Sequence, residues 1–178
     1  SGMICVGLTY DALVLAFGFI RVFSSDQLPW LGSIWLLVAG HLLLGLPYFL
    51  PTHQGRAAEH IISTVLVRPG TCVPMNYHFT TTLAHIQECG GRVVELLHDH
   101  ALELKSDHPF KGNMDIEKLE QTIKEVGVEN IPFIRMEAST NLTGGQPFSL
   151  ANLMDVRRIA DTYDTMLVLD ASPLGDNA

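Results

Sequence analysis

Apolar positions fall into two textures along the chain. Residues 3–50 hold almost all of the long apolar runs, including "LVLAFGFIRVF" and "SIWLLVAGHLLLGLPYFL". From residue 51 onward, apolar and polar positions alternate with the periods of helices and strands. "RAAEHIISTVL" places Ala58, Ile61, Ile62 and Val65 on one predicted helical face, and "TTLAHIQECGG" predicts a short helix closed by Gly90 and Gly91. "RVVELL" follows as a β-branched strand. In "MDIEKLEQTIKEVG" Asp115 caps a helix, Ile116, Leu119, Ile123 and Val126 form its buried stripe, and Gly127 supplies a left-handed stop. After the strand "IPFIRME", the segment "SLANLMDVRRIADTYD" predicts a helix capped by Ser149, with Leu150, Leu153, Val156, Ile159 and Tyr163 facing inward. "TMLVLD" is then a short apolar strand ending on Asp170.

Strands and helices in alternation imply a mainly parallel sheet with crossover helices, an α/β architecture. Ligands of such sheets gather in the crevice at the carboxyl ends of the strands. Three polar clusters are therefore expected to meet there: "THQGR" before the first helix, "STNLTGGQP" after the strand at 131–136, and Asp170.

Size and charge narrow the classes. The 178 residues suit one domain with a real core, and a formal net charge of -8 disfavours nucleic acid and acidic membrane surfaces as partners. Cys5, Cys72 and Cys89 have no C-x-x-C spacing, which suits reduced thiols in a cytoplasmic protein. The run at 33–50 is just long enough for a membrane span, but His41, two interior glycines and Pro47 interrupt it and no basic cluster flanks it. A buried apolar segment is the preferred reading.

The polar clusters each admit a chemical and a plain reading. Gln54, Gly55 and Arg56 stand at a helix mouth, where free N–H groups and an arginine fork suit a phosphate; a solvated polar turn fits as well. Asp170, at the tip of an apolar strand, needs a cation, such as a protonated heteroaromatic nitrogen, or else a structural ion pair. Asn141 lies in a loop closed by Gly144, Gly145 and Pro147, with an amide free to meet a ligand oxygen. Phe79, followed by Thr80, Thr81 and Thr82, is either a stacking ring or a core residue before a helix. "HDH" at 98–100 lacks a further metal-ligand partner and reads as a solvated strand end, so no metal site is expected.

Together "PTHQGRAAE", "HFTTTLAHIQECGG", "HPFKGNMDIEKLEQTIKEVGVENIPFI", "STNLTGGQPFSLANL" and "VLDAS" resemble consecutive blocks of the pyridoxal-phosphate-dependent β-eliminating lyases, the family of tyrosine phenol-lyase and tryptophanase. The resemblance implies the aspartate-aminotransferase-like (type I) fold, with residues 50–178 forming part of its large, cofactor-binding domain and residues 1–49 an apolar segment that does not match. It implies that Gln54, Gly55 and Arg56 cradle the phosphate of pyridoxal 5'-phosphate, Phe79 stacks on its ring, and Asn141 bonds its phenolic oxygen. Asp170 would pair with the pyridine nitrogen and so keep the ring an electron sink. Thr80 implies recognition of a phenol hydroxyl, and with Leu142 it favours the phenol-lyase over the tryptophanase.

The resemblance further implies an aromatic amino-acid substrate, a homotetramer and a monovalent cation such as potassium in the complete enzyme. The family's Schiff-base lysine is not found in the chain. Pro173 and Leu83 replace family arginines, and the tyrosine acid expected before residue 48 is absent. The expectation is a fragment of a tyrosine phenol-lyase-type enzyme with little activity alone; the alternatives are a tryptophanase or a non-catalytic remnant.

Overall fold

A computed structural model describes residues 3–6, 52, 54–172 and 177. The chain divides into two compact units, residues 1–7 with 55–178, and residues 8–54. Every helix and strand named below belongs to the first. The apolar run at 33–50 lies outside the described residues; no described helix is long and apolar enough to cross a membrane.

In chain order the elements are β1 (Met3–Val6), α1 (Gly55–Leu66), β2 (Cys72–Met75), α2 (Thr80–Glu88), β3 (Arg92–Glu95), α3 (Ile116–Val126), β4 (Ile134–Glu137), α4 (Leu150–Thr162) and β5 (Leu167–Asp170). Short 3-10 turns at Asp99–Leu102, Val128–Asn130 and Asn141–Thr143 fill the connections. The five strands form one sheet in the order β1-β5-β4-β2-β3, and every pairing is parallel. The helices and strands predicted from residue 51 onward are present, and β2, which the periodicity did not announce, is added between α1 and α2. β1 is an addition: it pairs β5 from Met3↔Leu167 to Val6↔Asp170, a strand hidden within the apolar N-terminal texture.

Side-chain alternation along the strands separates two cores. Ile134, Met136, Leu167 and Leu169 join Leu119 and Ile123 of α3 and Val156 and Ile159 of α4 on one face. Val73, Met75, Phe133 and Val168 meet Ala58, Ile62 and Leu66 of α1 and Ile86 of α2 on the other. α3 follows its pattern closely: Asp115 accepts from the Lys118 N–H as N-cap, and Gly127 ends the helix at φ +84°. Ser149 caps α4 by accepting from the Asn152 N–H.

Two helical faces are corrected. Ile61 and Val65 were expected inside with Ala58 and Ile62, yet they are 39% and 68% exposed. α1 is rolled so that its buried arc runs through Ala58, Ile62 and Leu66 and onto the polar flank of Glu59 and Ser63. Leu150 is likewise exposed at the first position of α4, where it lies to one side of the Val156–Ile159–Ala160 stripe. The inward place beside that stripe goes to Asn152, which accepts from the Met114 N–H and donates to its carbonyl, both at 2.8 Å.

The join of β2 to β4 is thin for an identifiable reason. Carbonyls of Thr71 and Met75 accept from the β3 side, so alternation aims Pro74 at β4. Proline has no N–H to give there, and the pairing is limited to Met75↔Arg135. The side chain of Asn76 takes over the ladder. Its Oδ1 accepts from the Glu137 N–H (3.0 Å), and its Nδ2 donates to the carbonyls of Glu137 and Gly112 (both 3.1 Å). Asn76 is fully buried, so truncation strands main-chain groups away from water. Asn76→Ala is expected to lower stability by roughly 1–3 kcal/mol, read from urea unfolding monitored by circular dichroism.

Candidate functional site

The carboxyl ends of β4 and β5 carry charge where the rest of those strands is apolar. Glu137 and Asp170 are register partners, and the Ala138 N–H donates to the Asp170 carbonyl at 2.9 Å. By alternation with Phe133 and Val168, the side chains of Arg135, Glu137 and Asp170 lie on the α1/α2 face. All three are buried.

Arg135 Nη2 donates to Asp170 Oδ2 at 2.5 Å, and Nη1 donates to the Tyr77 carbonyl at 3.3 Å. The other oxygen of Asp170 accepts from the Ser172 N–H (3.1 Å) and hydroxyl (2.7 Å). The carboxylate is thereby fixed in orientation from both sides. Glu137 Oε2 lies 3.7 Å from Arg135 Nη1 and has no hydrogen-bond partner among the described residues. Burial pushes the Glu137 carboxyl up to about 7; the guanidinium of Arg135 works against this, and Asp170 adds to it.

Two helices cover this cluster. Glu59 of α1 accepts from the hydroxyls of Thr81 (2.6 Å) and Thr82, which ties α1 to α2. Beneath α1 a cavity of about 20 Å³ is bordered by Glu59, Ser63, Thr82, Arg135 and Asp170. It has room for one water and not for an organic ring.

The sequence-predicted residues fall along this same edge. Gly55 is the first residue of α1, and a Cβ built on it would lie 4.0 Å from Ser172 Oγ, the hydroxyl that bonds Asp170. The helix mouth and the strand tip are thus neighbours. Arg56 is exposed, with no ion pair among the described residues, and the first turn of α1 holds no acidic side chain. Gln54 is exposed immediately before the helix, and its carbonyl accepts from Thr52. Phe79 is half-buried at the N-cap of α2 with Thr80 exposed beside it. Asn141 is exposed at the start of its 3-10 turn, and its main-chain N–H is near enough to Glu137 to offset part of the rise in that carboxyl's pKa. Glycines at positive φ, Gly144 and Gly145, turn the loop back so that Thr140 N donates to the Gln146 carbonyl.

Residues 36–178 match the family described as Beta-eliminating lyase. The chain belongs to the beta-eliminating lyase family. It is 46% identical over 134 residues to the tyrosine phenol-lyase of Nostoc punctiforme, covering 75% of this chain and 29% of that protein. Over 146 residues it is 40% identical to the tyrosine phenol-lyase of Clostridium tetani, covering 81% and 32%. The probable beta-eliminating lyase of Trichomonas vaginalis is 43% identical over 136 residues, covering 76% and 30%. The chain therefore spans about three-tenths of the length of these relatives.

Among solved structures, the alanine aminotransferase of Pyrococcus furiosus superposes with a TM-score of 0.58 at 17% identity, covering 76% of this chain and 33% of that one. The PLP-bound C-S lyase of Staphylococcus hominis gives 0.54 at 13%, covering 75% and 33%. The fold of this beta-eliminating lyase chain is the α/β, parallel-sheet, aspartate-aminotransferase-like one that the block resemblance implies.

Sequence reading singled out Asp170 and missed the groups that hold it. Arg135 and Glu137 sit at i, i+2 in "IPFIRME", on one face of a strand whose parallel neighbours bury it on both sides. That spacing of two charges in a central strand was the available signal. Asn76, Glu59 and Ser172 gave none, because their roles depend on partners distant in sequence.

Glu137 makes stability depend on pH with a definite sign. Its native value of about 7 exceeds its ordinary 4.5, so between those pH values the folded chain holds more protons than the unfolded one. This contribution is present in full below about pH 4.5 and is lost as pH rises through about 7. Its size is on the order of 3 kcal/mol. Glu137→Gln is expected to flatten that part of the stability profile, as measured by denaturant unfolding at stepped pH.

Proposed function

We propose that the chain is the cofactor-binding part of a pyridoxal-phosphate-dependent carbon–carbon lyase of the tyrosine phenol-lyase type. The observation that carries this reading is the adjacency of the α1 mouth to the β5 tip through Ser172. Gln54, Gly55 and Arg56 grip the phosphate with main-chain N–H groups and a guanidinium. Phe79 lies against the ring, Asn141 meets its phenolic oxygen, and Asp170 accepts from the pyridine N–H.

The residues present fit such a group. No described residue crowds Gly55 at the helix mouth, Arg56 is uncommitted among the described residues, and Asp170 is buried and oriented by Ser172 and Arg135. Bound there, pyridoxal phosphate supplies an electron sink for negative charge at the α-carbon of an amino acid. Thr80, exposed next to Phe79, is placed to meet the phenol hydroxyl of tyrosine without adding a fixed charge.

The lysines of the chain are Lys105, Lys111, Lys118 and Lys124. Lys118 and Lys124 belong to α3, on the face opposite Asp170, and Lys111 donates to the Glu103 carbonyl. We therefore read the lysine that anchors the cofactor as lying outside these residues. The complete protein would be a cytoplasmic homotetramer, dependent on a monovalent cation such as potassium, that splits tyrosine into phenol, pyruvate and ammonium.

An absorbance titration with pyridoxal phosphate tests the site. Arg56→Ala and Asp170→Asn are each expected to weaken binding by about tenfold to a hundredfold, the effect of a lost charge-assisted hydrogen bond. Asparagine is the better replacement at 170, because alanine removes the acceptor of the buried Arg135 Nη2. Binding unchanged in both variants refutes the site. On the complete protein, indole from tryptophan in place of phenol from tyrosine refutes the substrate, while the chain itself is expected to turn over almost no tyrosine.

A further inference from the structure

A second constellation stands on the outer surface of α1 and α2, away from the strand tips. His60 of α1 and His85 and Glu88 of α2 bring one ligand atom each to within 4.8 Å of one another. The two rings meet edge to face with centroids 5.2 Å apart, and His85 Nδ1 lies 4.0 Å from Glu88 Oε2. We propose that His60, His85 and Glu88 form a site for a divalent transition-metal ion, zinc above all, that clamps α1 to α2.

The chemistry suits that ion. Two imidazoles and one carboxylate are borderline donors that favour zinc over calcium or magnesium, which prefer all-oxygen shells. A tetrahedral zinc with bonds near 2.0–2.1 Å needs donors about 3.3 Å apart, with water in the fourth position. The observed spacing exceeds this, so metal binding would draw the three side chains inward by rotation.

The scaffold supplies the alignment. His85 and Glu88 are i, i+3 on one helical face. His60 adjoins Glu59, whose bonds to Thr81 and Thr82 fix the register between the helices one turn away. Ile62 and Ile86 pack beneath. The three ligands therefore come from two elements already held at a fixed spacing, so closing the site requires ordering side chains and not backbone. The other histidine group, His98, His100 and His108, is different: the rings of His98 and His100 stack at 5.1 Å, that of His108 lies tilted against His100 at 4.3 Å, and His98 is committed to Asp115.

Zinc titration of the chain against a chromophoric chelator decides the matter, with cobalt(II) absorption reporting ligand geometry. The expected result is one zinc per chain, a tetrahedral cobalt spectrum, and a rise in thermal stability that tracks zinc concentration. His60→Ala, His85→Ala and Glu88→Gln should each weaken binding by about tenfold or more, while His100→Ala leaves it unchanged. All of these substitutions are at the surface or in partly exposed positions, and equal melting temperatures without metal verify that the variants fold. Absence of binding up to millimolar zinc overturns the proposal, as does wild-type affinity in His60→Ala and His85→Ala or loss of binding in His100→Ala. The site is independent of the cofactor reading, and neither outcome bears on it.

Discussion

One buried guanidinium organises the carboxyl edge of the sheet. The Arg135 guanidinium is taken out of water at 2% exposure, which is tolerable only with a close acceptor. Asp170 is that acceptor, and the pair fixes the tips of β4 and β5 beside each other. Glu137 is the third member, near enough to feel both charges and held part-protonated by burial. A positive charge arriving at Asp170 would draw Glu137 toward its ionised form, so the cluster can take up charge without large rearrangement.

Holding this edge in place falls repeatedly to carboxamides. Asn76 pairs with the N–H and carbonyl of Glu137, Asn152 with those of Met114, and Asn177 with those of Phe148. In each case a side-chain amide imitates a peptide group and completes a ladder that the backbone leaves open. Asn76 does so because Pro74 interrupts β2. Asn152 fastens the approach to α3, and Asn177 fastens the 146–148 segment that leaves the Asn141 loop. Buried main-chain groups are thereby satisfied in a region with little regular ladder.

Much of the fold was legible in the sequence. Helical stripes such as Ile116–Leu119–Ile123–Val126, caps such as Asp115 and Ser149, and the alternation of elements gave the parallel sheet and the edge at which polar clusters meet. The roll of α1 was not legible, because a polar flank turned inward looks solvent-facing until Arg135 and the threonines of α2 are seen opposite it. β1 was hidden for a different reason. Its apolar residues share a texture with everything up to residue 50, and only pairing with β5 distinguishes them. Asp170 and Gly55 announced themselves through position at element ends; Arg135, Asn76 and Ser172 act through partners that no local pattern reveals.

Family membership and the geometry of the edge bear on different questions. The first says what family the sequence descends with; the second says whether this segment still brings the α1 mouth and the strand-tip carboxylate together. A crystal structure of the chain grown with pyridoxal phosphate tests that convergence most directly. The account predicts the phosphate at the first turn of α1 beside Arg56 and the ring nitrogen on Asp170. A cofactor bound elsewhere, with Asp170 still committed to Arg135 and Ser172 alone, would contradict it.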